Sequence, residues 1–352
     1  MKSTFKFKAF IPTLASRTVF DQLRDKQIDF ADTHEQFIAH DPQPTQWRSH
    51  GFVPVWPNSE NYIHEISSGM HLMMFQINER NLPGKVRDEH LSTLLEKFKE
   101  REGRPVGKKD YAMLKEQAEF DLLPKAFIRR SLVPIIFNAR NNLLLIGTSS
   151  PKRRDDTVAV LLGLFGINAD NVAFYDVTPK QDIVTSLTLA AKEGQTGETQ
   201  GEGYFYTTAS AVLRGEGKRT IRIKDKAVED GDIQDLISVH DYRVHELGLS
   251  YDPNEKQEDV LCTFSISDKM VFKALKFNDG VASVEMGDAE TAEQQTEAVI
   301  YLTARTAVDI FVGLLRDFGG WKSLTEMKQE AKAQEREAAK ANGVSKDDDE
   351  EL

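Results

Sequence analysis

The chain has 352 residues and a formal net charge of −11, with 40% apolar and 29% charged residues, the balance of a soluble globular protein long enough for two or three domains. Its single cysteine, Cys262, excludes an internal disulfide or a cysteine-rich metal site, and the eight histidines contain no HExxH spacing. No run approaches about 18 uninterrupted apolar residues and MKSTFKFKAF lacks a signal-peptide core, so the expectation is a cytoplasmic protein with no membrane segment.

In chain order, Phe5 to Phe10 alternates aromatics with lysines and reads as a strand. Ser16 is placed to cap a short helix that carries Val19, Phe20 and Leu23 on one side. A polar, proline-containing stretch around GFVPVWP follows, and HLMMFQI, from His71 to Ile77, reads as a buried strand. From Pro83 the period becomes helical: Leu91, Leu94, Leu95 and Phe98 recur along one helix, EGRPVGKKD interrupts it, and Tyr111, Leu114 and Ala118 mark a second helix leading towards LLPKAF.

LVPIIFNARNNLLLIGTSS reads as two strands around a polar turn at Asn138 to Asn142, and Thr157 to Phe165 as a helix packed through Val158, Leu161, Leu162 and Phe165. Asn171 to Val177 is expected to return to the sheet. AKEGQTGETQGEGY has too little apolar content for a core and reads as an exposed connection. A second hairpin is expected between Leu261 and Phe277, a short strand at Ala298 to Thr303, and then an apolar helix through Ala307, Ile310, Phe311, Leu314, Leu315 and Phe318. Beyond Trp321 a solvated helix gives way to the acidic SKDDDEEL.

The fold class is therefore α+β, with two related sheet-and-helix modules and projecting helices. The expected organisation is a central α+β region from 1–80 and 131–180, a basic helical projection at 81–130, a variable basic and polar region at 181–260, a C-terminal α+β region at 261–320, and a charged tail at 321–352.

Three groups of cations stand out from the acidic background. Between Arg80 and Arg130 there are 13 cations against nine carboxylates, a net of +4. They include Lys97, Lys99, Arg101, Lys108 and Lys109, then Lys125, Arg129 and Arg130. Lys125 and Arg129, four apart, share a face if a helix begins after Pro124. Phe127 lies between them and either packs inward or stands exposed, where an aromatic beside cations stacks on or wedges between bases. A second group is Arg214, Lys218, Arg219, Arg222, Lys224 and Lys226, and a third is Lys152, Arg153 and Arg154. Each is either a phosphate-binding surface or a solvated face.

No GxSxG, Walker A or GxGxxG motif is present. Asp155 and Asp156 either bind magnesium or solvate a helix start. The expectation is a protein that is not an enzyme, with no catalytic, cofactor or metal residues and no cofactor. Helix-turn-helix and zinc-finger signatures are also missing, so sequence-specific reading of bases is not expected.

The chain resembles the bacterial recombination-associated RdgC family from about Phe5 to Gly320. The resemblance rests on GFVP at Gly51 to Pro54, NLP at Asn81 to Pro83, DLLPKAF at Asp121 to Phe127, the CTFSISDKMVFKALKF hairpin, LTART and FVGLLRDFGG. It implies a ring-shaped homodimer that encircles double-stranded DNA without marked sequence specificity, opposes recombinase access and associates with the nucleoid. Lys125 and Phe127 correspond to the family's basic and aromatic positions near the DNA or dimer gate, with lysine in place of arginine. The family's basic loop has its nearest counterpart in IRIKDKAV, Ile221 to Val228, which brings in Lys224 and Lys226, although Asp225 departs from the pattern. The acidic tail has no counterpart. The competing reading is a scaffold whose basic helices hold an acidic protein partner.

Overall fold

The computed structural model describes residues 5, 7–56, 59–167, 173–196, 203–254, 260–286, 291–323, 325–327, 329–330 and 333. The SKDDDEEL tail and residues 197–202 of the glycine-rich connection lie outside them.

Two antiparallel sheets organise the chain, in keeping with the α+β expectation. The first contains β1 (Ile11–Ala15), β2 (Arg48–Val53), β3 (Ile63–Ser67), β4 (Met70–Asn81), β5 (Phe127–Asn138), β6 (Leu143–Ile146) and β7 (Phe174–Asp176). Its order is β2-β4-β5-β6-β1-β7, with β3 also pairing β4. The second contains β8 (Tyr204–Arg214), β9 (Thr220–Lys224), β10 (Arg243–Asp252), β11 (Cys262–Ser267) and β12 (Phe272–Phe277), in the order β12-β11-β10-β8-β9.

The two faces of the first sheet are sorted by the period of two along each strand. Phe75, Ile77, Val133, Ile135 and Phe137 pack under α1 (Arg17–Arg24) and α4 (Pro151–Leu164). Leu72, Met74 and Ile136 belong to a larger core shared with the second sheet, α5 (Ile183–Glu193) and the long helix α8 (Ala292–Asp317). The expected first helix is confirmed: Val19, Phe20 and Leu23 are its buried residues, although the Ser16 side chain makes no cap hydrogen bond. Cys262 is buried and its thiol is pushed up to about 12 by desolvation.

Three expectations need correction. Among the described residues from Phe5 to Phe10 no strand forms: a backbone bridge joins Phe10 to Phe272, and the aromatic rings Phe5, Phe7, Phe10 and Phe272 stack in series. Ala298 to Thr303 is helical, because Thr291 and Gln294 form a capping box and the apolar spacing from Ile300 onward joins one 26-residue helix. Third, no helix begins after Pro124: Leu123–Lys125 is a short 3-10 turn and β5 starts at Phe127.

α8 is long and apolar enough to cross a membrane by length and composition, but 72% of its apolar window is buried inside the fold. Its sequence is that of a core helix. The expected hairpin from Leu261 to Phe277 forms as β11 and β12.

The element that positions the site is a ribbon. β4 and β5 pair over their full twelve residues, from Met70↔Asn138 to Asn81↔Phe127. The chain between them folds as the helical hairpin α2 (Gly84–Glu102) and α3 (Lys108–Leu122), with a small core of Leu91, Phe98, Leu114 and Ala118. Gly103 in the left-handed conformation closes α2, where a side chain would be strained. The ribbon's inner half is buried in the sheet, and its outer third runs out to carry the hairpin.

Candidate nucleic-acid interface

Alternation along the outer ribbon separates holding residues from open ones. On one face, Asn78 donates to the His40 carbonyl at 2.7 Å, Arg80 Nη2 to the Pro42 carbonyl at 2.9 Å, and Arg130 Nη2 meets Asp41 at 2.9 Å. These three contacts fasten residues 40–42 to the ribbon. Gly51 makes the same loop possible, since a Cβ there would lie 2.5 Å from the Ala39 nitrogen.

Arg80 does a second job. Its Nη1 donates to the carbonyls of Leu123 at 2.9 Å and Pro124 at 3.3 Å, which clamps the 3-10 turn leading to Lys125 and Phe127. A guanidinium suits this role because its donors leave in a fixed planar fork. The side chain thus links the loop before β2, the ribbon and the exit of the helical hairpin.

The other face carries Phe127 and Arg129 from β5, Glu79 from β4 and Arg48 from β2. The register places Arg48 opposite Glu79 and Glu79 opposite Arg129, a row of alternating charge across three strands. Opposed residues of opposite sign on one face attract. α4 adds a fourth member: its Arg153 Nη2 lies 3.7 Å from Glu79. Arg48 is also held by Asp156 of α4 through two contacts, at 2.9 and 3.0 Å. Ser150 caps α4 by accepting from the Arg153 nitrogen, and Pro151 occupies its first turn. Lys152 is exposed beside this end.

Arg48, Arg129 and Arg153 therefore share this face with two carboxylates, Glu79 and Asp156, and Lys152 is exposed at the adjoining end of α4. Phe127, at 85%, is the most exposed large hydrophobic side chain among the described residues. This answers its orientation: it points away from the core. An exposed aromatic next to half-exposed guanidinia offers stacking and charge to a nucleic acid at once.

The remaining sequence candidates are sorted by their partners. Lys125 is exposed at the end of the 3-10 turn, and no longer shares a helix face with Arg129. On the hairpin, Arg101 pairs with Glu102, Arg104 with Asp110, and Arg87 with Asp88 and Glu119. Lys97, Lys99, Lys108 and Lys109 stay exposed without an ion pair among the described residues, and Lys99 and Lys108 flank a shallow hollow of about 370 Å³. The guanidinium of Arg104 and the backbone amide of Gly107 hold the Asp110 carboxyl below its usual range.

Arg154 is committed to Asp155 and Asp176. Asp155 and Asp156 are thus engaged by arginines. In the second sheet, Lys224 is exposed at the end of the edge strand β9. Lys226 is held by Asp230 and Asp232, both at 2.8 Å, and these partners raise its pKa. Asp225, the departure from the family pattern, adopts a left-handed turn between them.

Sequence reasoning missed Arg48, Glu79 and the anchoring role of Arg80, because their partners lie far along the chain. It also missed the exposed Met113 and Phe120 of α3. Their spacing of seven, off the Leu114 and Ala118 stripe, was the available signal.

A family model described as "RdgC: Putative exonuclease, RdgC" matches residues 18–321. The recombination-associated protein RdgC of Pseudomonas entomophila is 27% identical over 276 residues, 77% of this chain and 85% of that protein. The protein of the same name from Pseudomonas syringae pv. tomato is 28% identical over 277 residues, 77% of this chain and 85% of its own length. That of Haemophilus influenzae strain Rd is 27% identical over 256 residues, 72% of this chain and 79% of its own.

Proposed function

The chain belongs to the RdgC family, and from that premise we propose that it is a non-enzymatic protein that binds duplex DNA without sequence preference. Family membership supports a role in recombination. In the finer reading, two copies form a ring-shaped homodimer around the duplex and limit a recombinase's access to it. The protein acts in the cytoplasm, on the nucleoid.

The observation that carries this reading is the cationic end of the first sheet. Arg48, Arg129 and Arg153 come from β2, β5 and α4 and meet around Glu79, next to the exposed Lys125 and Phe127. Guanidinia neutralise phosphates without reading bases, which suits binding to any sequence. A dimer brings two such ends to one duplex, so modest local charge suffices in a chain whose net charge is −11.

The test compares linear and closed circular duplexes by gel shift, with molecular-mass measurement. A closed ring is retained on circular DNA at salt concentrations that release it from linear DNA, whose ends allow sliding off. Equal retention sinks encirclement, and no binding to either form at low salt favours a scaffold for an acidic protein. Because the family description names an exonuclease, the same DNA is incubated with magnesium or manganese. Shortened products would overturn the non-enzymatic part of the proposal.

A further inference from the structure

We propose that Glu79 is an internal stand-in for a DNA phosphate, and that Arg48, Arg129 and Arg153 take a backbone phosphate in its place. The inference rests on the DNA-binding function proposed above and assigns it a site. Glu79 lies between two arginines in direct cross-strand register and under a third from α4. A guanidinium recognises a carboxylate and a phosphate with the same fork of donors, so a pocket that accepts one accepts the other.

The carboxylates in this cluster are held unequally. Asp156 grips Arg48 through both oxygens, at 2.9 and 3.0 Å, and its side chain is 21% exposed. That pair fixes α4 to the edge of the sheet. Glu79 touches Arg153 only at 3.7 Å and its side chain is 38% exposed. Beyond a normal hydrogen-bond distance and open to water, such a contact contributes little to stability. Glu79 is therefore the member that can swing out at small cost, leaving Arg129, Arg153 and the Arg48 donors not taken by Asp156 to the incoming anion.

The position fits a backbone contact. Arg129 shares its strand face with Phe127, two residues nearer the ribbon's tip. A phosphate held at Glu79's place therefore lies on the same side as the exposed ring. An acid at the centre of the cationic cluster also has a role when no DNA is bound: opposite in sign to the residue facing it on each neighbouring strand, Glu79 offsets the mutual repulsion of the arginines around it.

The experiment measures binding of the full-length wild type, Glu79→Gln and Glu193→Gln to short duplexes of unrelated sequence over a salt series. Glu193, exposed at the end of α5, supplies the same change in net charge elsewhere. Glu79→Gln is expected to bind about threefold or more tighter than Glu193→Gln at low salt, with a steeper salt dependence by about one ion. Adding Arg153→Ala to Glu79→Gln should abolish the gain. Thermal melting and mass measurement confirm that each variant retains its fold and assembly.

If wild type binds and Glu79→Gln, still folded, binds no tighter than Glu193→Gln, the carboxylate is a structural tie and the assignment is overturned. If the wild type binds no DNA at low salt, the proposed function falls and takes the site with it. The two failures are thus distinguishable.

Discussion

Arg129 and Arg130 are neighbours in the chain and opposites in the fold. Arg130 lies on the ribbon face that holds residues 40–42, and its guanidinium is paired with Asp41. Arg129 lies on the face shared with Phe127, Glu79 and Arg48, where Arg153 approaches from α4. One residue of register decides whether a charge is consumed within the structure or offered to a ligand. A count of cations along the sequence cannot distinguish the two.

The contrast is broken most severely by substitutions on the open face. Arg129→Ala combined with Arg153→Ala should weaken duplex binding about tenfold or more at moderate salt, while Arg130→Ala changes it by about twofold at most, as titrations on unrelated sequences would read. Comparable losses from both would mean that the two faces do not differ in function.

Arg80 tests what holds the faces in place. Arg80→Ala removes donors from the carbonyls of Leu123, Pro124 and Pro42 and should cost about 1–2 kcal/mol of stability. Amide exchange should rise around residues 121–127. Arg80→Lys is expected to restore less than half of the loss, because an ammonium cannot span both sets of acceptors.

Phe127→Ala separates aromatic contact from charge. Affinity for linear duplex should fall by about threefold at most, less than the roughly 1–3 kcal/mol of stacking on an unpaired base because the bases of a duplex are already stacked on one another, whereas retention on closed circles in high salt should fall further. An unchanged circular retention would remove Phe127 from the gate.

In the second sheet smaller effects are expected. Lys224→Ala should weaken binding about twofold, and Lys226→Ala less, because Asp230 and Asp232 already hold its ammonium. Acid provides the mildest probe. Asp110 has a depressed pKa in the fold, so its contribution is fully present above its unfolded value and is lost as pH falls through the folded one. Hairpin helicity, followed by amide exchange at 108–111, should hold from neutral pH down to the ordinary aspartate range and loosen only below it. Asp110→Asn should remove that acid-dependent step.

Much of the fold was legible from local pattern. The helical periods of the hairpin gave α2 and α3, and the paired apolar runs gave β5 with β6 and β11 with β12. The failures share a cause: tertiary context overrode a local preference. Val299 and Ile300 look like a strand until a capping box eight residues earlier commits them to α8. Pro124 looks like a helix start until Arg80, 44 residues away, holds its carbonyl in a 3-10 turn.

The candidate site divides along the same line. Lys125, Phe127, Arg129 and Arg153 were legible as residue types in basic segments, and the family resemblance singled out the first two. Their grouping was not, because Arg48, Glu79, Arg129 and Arg153 meet only through strand register and the docking of α4. Nor was it visible which cations are spent on carboxylates, since Arg130 and Arg154 find theirs at Asp41 and Asp176.

The central claim is that the open face of the ribbon, with the end of α4, is where phosphates bind. Its most direct test is the slope of log affinity against log salt for the wild type, Arg129→Ala with Arg153→Ala, and Arg130→Ala, all verified as folded and of equal mass. The slope should become shallower by about two for the double variant and stay near the wild-type value for Arg130→Ala. Identical slopes for all three proteins would contradict the claim.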